Sequence, residues 1–306
     1  MPERRGLVLV AAGASGAALC LVALALTLGD GAPVRVPGLP AAPGVVQWSL
    51  ALAPWVHVAL GTTTLSAGLL AGGFLSEPAT GARRPALVWG AVLVLMFALL
   101  GISQHALGVP VRQFPASPEG TGLFMALLVV GFLAYVARDV PRAVPPLAML
   151  GLLPPLLTGH VRTADSPVLA GLSLCAHVVG AAVWVGGLLA LGYLGLRLPH
   201  SWPGALRRYS PVALVAAVVV AASGVLLALT RVRTLDGLTG EGYGVLVLAK
   251  ATALLALIGM GHLQRRRVIA AEAPGRSAFV RLAGVELTLM ALTFALAVAL
   301  AQTPPP

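Results

Sequence analysis

Charge is scarce in most of this chain for about 20 residues at a time, the length of helix that crosses a bilayer. Such stretches cover residues 6–28, 47–75, 85–107, 121–137, 144–160, 167–196, 207–230, 243–263 and 280–302, divided by short segments rich in Arg, Pro and Gly. A soluble domain carries about 25% charged residues; this chain has 10%, with 58% hydrophobic. Backbone N–H and C=O groups in hydrocarbon must pair within their own segment, so apolar runs of this length are helical. The expectation is an all-α polytopic transmembrane helix bundle of about nine spans. The fifth run, with Pro145, Pro146, Pro154 and Pro155, is expected to be broken or tilted.

The net charge is +10. Nucleic-acid binding needs a basic face on a soluble fold, whereas these arginines stand singly or in small groups between apolar runs. They serve better as topology markers, because positive side chains collect on the cytoplasmic side. With the N-terminus inside, fourteen arginines fall in inner segments (among them Arg83, Arg84, Arg138, Arg142 and Arg265 to Arg267) and five in outer ones, while Lys250 lies within a run. This orientation puts the N-terminus in the cytoplasm and the C-terminus outside. The first run, preceded by Arg4 and Arg5, exceeds the 7–15 apolar residues of a signal-peptide core and is read as a retained helix. Trp48 and Tyr243 at outer helix ends, with Trp89, Tyr135, Tyr193 and Tyr209 near inner ends, read as interfacial aromatic belts.

Ionisable groups inside a bilayer are costly and mark function by default. His57 and His177 fall ~14 Å from the outer ends of their helices at helical rise, close to the membrane midplane. His105 and His160 end the third and fifth runs at the outer side; His200 and His262 belong to the cytoplasmic side. Imidazole ligates transition metals and haem iron while neutral, so His57, His177, His160 and His105 are the candidate metal ligands. Trp184 lies seven residues beyond His177, on the same helix face. Gly180, Gly186 and Gly187 beside it admit a close neighbour. His57, Gly61, Thr64 and Gly68 form a similar stripe, and both helices carry Gly-Leu-Leu-Ala, a sign of two parallel repeats. Lys250 and Glu286 are the intramembrane charges, with Glu286 a candidate proton relay. Cys20, Cys175 and the isolated methionines read as core residues. Phosphate loops, nucleophile–base pairs and paired carboxylates are absent, which argues against hydrolytic or phosphoryl-transfer chemistry.

One ordered series carries a family likeness: Thr158-Gly-His160, His177, Trp184-Val-Gly-Gly187, Arg208-Tyr-Ser210, Ser223-Gly224, Tyr243-Gly244, Lys250, Glu286 and Pro304-Pro-Pro306. In this order the chain resembles the copper resistance D (CopD) membrane proteins across residues 158–306. Residues 1–157 match only as helices bearing His57 and His105. The resemblance implies a multi-pass protein of the bacterial plasma (inner) membrane, not an enzyme, that moves copper between the outer side and the cytoplasm. It also implies a small periplasmic copper-binding partner, and carries His160, His177, Trp184, Lys250 and Glu286 over as functional positions. Two other readings use the same histidines. One is a haem b protein for electron transfer or metal reduction with His57 and His177 as axial ligands. The other is a scaffold whose histidines only join helices.

Overall fold

A computed structural model describes residues 17–28, 32–33, 38, 40–76, 78, 81–158, 166–229, 242–264 and 276–302. These residues form helices and turns, with no strand among them. The helices are α1 (Ala17–Leu28), α2 (Gly44–Ala71), α3 (Arg83–Ala106), α4 (Pro118–Val136) and α5 (Val144–Leu152), then α6 (Pro167–Arg197), α7 (Trp202–Leu229), α8 (Gly242–Gln264) and α9 (Arg276–Gln302). Seven of them, α2 to α4 and α6 to α9, contain stretches long and apolar enough to cross a membrane. Leu87, Val94, Leu95, Phe132, Val215 and Val218 stand exposed on their helices, where a water-soluble bundle would present polar groups. The chain is an all-helical, multi-pass membrane protein.

One of the nine expected spans, the fifth, is shorter than expected, and the first lies partly outside the described residues. The first is described only from residue 17, as the twelve-residue α1. The fifth begins where Pro145 and Pro146, lacking N–H groups, fit a first turn that needs none. It stops at Leu152 because Pro154 and Pro155 remove the donors that the next carbonyls require. The chain continues as the 3-10 turn Pro154–Leu157, in which Leu156 N–H and Leu157 N–H both bond to Leu153 O. The Leu152 carbonyl is thereby left without its helical donor.

Residues 33–230, holding α2 to α7, form one compact unit. Within it α2 packs against α3, α5 and α6, α4 against α3 and α5, and α6 against α7. Small residues set these approaches. A Cβ on Gly61 would fall 2.3 Å from Leu152 Cδ2, one on Gly68 2.6 Å from Val144 Cγ1, and one on Gly186 2.7 Å from Leu65 Cδ2. So the Gly61 and Gly68 edge of α2 faces α5, while the edge bearing Leu65 faces α6. α2 closes at Gly73, whose φ of 73° favours a residue without a side chain. Beside that end, Arg142 Nε–H donates to Gly72 O (3.4 Å), a cation at the negative end of the helix dipole.

Residues 1–32 and 231–306 form the second unit, in which α8 packs against α9. Phe279, Ala283, Glu286 and Met290 are buried at spacings of four, three and four residues, one stripe of α9.

Candidate functional site

His57 is wholly buried, and both of its ring nitrogens are engaged. Trp89 Nε1–H, from α3, donates to His57 Nδ1 at 3.1 Å. On the other side His57 Nε2 lies 3.1 Å from Leu152 O, the carbonyl stranded by the break in α5. An indole N–H only donates and a carbonyl only accepts. The ring is therefore the neutral tautomer with its proton on Nε2, and its one lone pair takes the Trp89 hydrogen. The Trp89 and His57 rings lie 5.5 Å apart between centroids, tilted by 51°. One side chain of α2 thus ties together α2, α3 and α5. It supplies the donor that Pro-broken helices in membranes need from a neighbour.

His177 is built differently. It is half-buried on α6 and faces α7, where Nδ1 lies 3.1 Å from Val220 O and 3.2 Å from Ser223 Oγ. The Ser223 hydroxyl donates to Val219 O, its own helix's carbonyl one turn back. Gly180, one turn beyond His177, brings the helices together here: its Cβ would sit 3.2 Å from Val219 Cγ1 and from Val220 Cγ2. Farther along, the Tyr209 hydroxyl of α7 donates to Trp184 O and Val183 O. Gly187 gives the phenol room, since a Cβ there would fall 2.0 Å from Tyr209 Cε2.

The two central histidines therefore share a unit but not a site. His57 looks toward α3 and α5, His177 toward α7. Bis-histidine haem ligation needs two lone-pair nitrogens turned into one gap, and this pair of rings does not fit it. His105 is exposed at the last turn of α3, and His160 lies outside the described residues. Trp184 is buried, Lys250 is half-buried on α8, and Glu286 is buried on α9. Among the described residues no group of three or more His, Cys, Asp or Glu side chains is placed to hold a metal ion. Cys20 is exposed and Cys175 half-buried, so neither is the core residue the sequence suggested.

Three partners escaped sequence reasoning. Trp89 and Tyr209 read as belt residues, yet both are buried with their polar atoms spent on α2 and α6; Tyr135, 79% exposed, has the surface position that a belt residue needs. Ser223 had no assigned role. A signal did exist for the Leu152 carbonyl, because Pro154-Pro155 within an apolar run must strand an acceptor.

The family match covers about the last third of the chain. Residues 203–300 match the family model of Copper resistance protein D, CopD. The copper transport protein CutJ of Bacillus subtilis (strain 168) is 32% identical over 116 residues, 36% of this chain and 21% of that protein. The chain thus aligns with about a fifth of its relative. No solved structure matches. The matched range holds Ser223, Lys250 and Glu286, and begins after His160, His177 and Trp184. From residue 203 to residue 300, through most of α7, all of α8 and most of α9, the chain is similar to the CopD copper resistance proteins.

Proposed function

We propose that this protein carries copper across the bacterial plasma membrane, with His177 as the intramembrane group that receives the ion. The CopD match and the CutJ relative support a copper-related membrane function. The observation that carries the site is the pairing of His177 Nδ1 with two acceptors, Val220 O and Ser223 Oγ. Such a ring keeps its proton on Nδ1 and its lone pair on Nε2. Metal-ligating histidines are oriented in this way, by donating the other N–H to a carbonyl or hydroxyl. His57 fits a structural role better, because a copper ion at its Nδ1 has to displace Trp89.

His160 and His105 are the outer-side groups that pass copper inward, with the N-terminus in the cytoplasm and a small extracytoplasmic copper-binding protein as donor. The protein acts as a carrier and not as an enzyme. Glu286 is the proton-coupling group, since uphill movement without a nucleotide motif draws on an ion gradient. The test is copper accumulation in cells expressing equal amounts of each variant. His177→Ala lowers accumulation at unchanged protein level. Full accumulation in His177→Ala removes this site from the pathway.

A further inference from the structure

From Pro167 to Thr230, through α6 and α7, the chain holds three arginines and not one Asp or Glu. Arg197, Arg207 and Arg208 are all exposed, at the end of the pair where α6 gives way to α7. Along the same two helices runs an apolar groove of about 460 Å³, lined among others by Ala176, Gly180 and Val183 of α6 and by Val212, Val215 and Val219 of α7. Val212 and Val215 are 45% and 63% exposed, so the groove opens on the outside of the bundle. Its walls are held together by Gly180, packed on Val219 and Val220, and by the Tyr209 hydroxyl, which donates to Val183 O. Arg208, Val212, Val215 and Val219 follow at spacings of four, three and four, one stripe of α7. The α7 wall runs from residue 211 to residue 219, ~12 Å at helical rise, and Arg208 stands one turn beyond its end.

We propose that this groove binds an anionic phospholipid: Arg208, with Arg207 beside it, holds the headgroup phosphate, and one acyl chain lies along Val212, Val215 and Val219 against Gly180. The guanidinium at the mouth has no carboxylate on either helix to pair with, and a phosphodiester offers the two oxygens that its N–H fork matches. Basic pockets between membrane helices take anionic headgroups for this reason. A free phosphate would use the arginine and leave the groove idle; an acyl chain without an anionic headgroup would do the reverse. The occupant bridges α6 and α7, the helices that meet at His177.

The test is native mass spectrometry of the full-length protein released from detergent micelles, titrated with phosphatidylglycerol or with phosphatidylcholine of the same acyl chains. Wild-type protein is expected to take up phosphatidylglycerol at the lower concentration. Arg208→Gln weakens that binding about fivefold, the size for one basic group at an anionic lipid surface, and removes most of the preference. Val215→Trp adds bulk at an exposed position, fills the groove and weakens both lipids. Arg112→Gln, at an exposed arginine between α3 and α4, binds like wild type. Equal affinity of wild-type protein for the two lipids overturns the proposal. So does an equal loss in Arg112→Gln, which means charge spread over the surface. Wild-type phosphatidylglycerol uptake by Val215→Trp, with inorganic phosphate displacing the lipid, makes the site one for a free anion and refutes the groove. Lipid-free dimers that Val215→Trp dissociates assign the groove to a second copy of the chain and refute it as well.

Discussion

Replacing His57 with leucine separates the structural from the ion-binding reading of the most buried histidine. Leucine has nearly the same volume, so the main losses are the hydrogen bonds from Trp89 and to Leu152, both 3.1 Å. Interhelical side-chain hydrogen bonds in membrane proteins average about 0.6 kcal/mol and reach about 1.7. Two of them give about 1–3 kcal/mol. The upper end applies here, because Trp89 Nε1–H and Leu152 O are both left inside the protein, and an orphaned buried polar group costs about 1–3 kcal/mol in its own right. Reversible unfolding in mixed micelles, followed by far-ultraviolet circular dichroism, reads that loss. A double-mutant cycle with Trp89→Phe isolates the α2–α3 bond, with an expected coupling of about 0.6–1.7 kcal/mol. Cu(I) affinity, measured on the folded fraction, is expected to stay at the wild-type value. A His57→Leu protein with wild-type stability and lost Cu(I) binding refutes the reasoning and returns His57 to the ion path.

Three further outcomes follow from the same packing. Gly187→Ala drives a methyl into Tyr209, whose ring carbons lie 2.0–2.8 Å from the Cβ position; overpacking costs about 1–3 kcal/mol, and an unchanged unfolding midpoint contradicts the α6–α7 contact. Detergent-purified protein is expected to give a flat dithionite-reduced minus oxidised visible spectrum even after growth with a haem precursor, since His57 and His177 face different helices; a b-type haem band revives the electron-transfer reading. Glu286→Gln keeps the shape of a buried side chain while removing its exchangeable charge, so copper uptake should lose its dependence on outside pH; an unaltered pH profile excludes Glu286 as the coupling group.

The helical class was legible because hydrocarbon leaves the backbone almost no choice. A run of about 20 apolar residues has to be a helix whatever surrounds it. The break in α5 was legible for the same reason, since Pro154 and Pro155 cannot donate. What stayed hidden was facing. In a soluble helix the polar side announces itself, but here lipid and protein core are equally apolar, so Trp89 and Tyr209 look alike whether they lie in a belt or inside the bundle. Their level along the helix follows from counting residues; the direction of the side chain follows only from which helix lies beside it.

The same limit explains why two histidines with matching sequence environments part company. Each stands on a glycine-bearing stripe near the middle of a long span, and by counting they occupy one depth. The neighbours decide their chemistry. α3 offers His57 a donor, the Trp89 indole, and this consumes the lone pair that a metal needs. α7 offers His177 Nδ1 two acceptors, Val220 O and Ser223 Oγ, and these engage the proton on that nitrogen. A histidine whose two nitrogens take a donor and an acceptor, as those of His57 do, is a strut between helices. The contrast at the two Nδ1 atoms lies in three residues on neighbouring helices, at positions 89, 220 and 223.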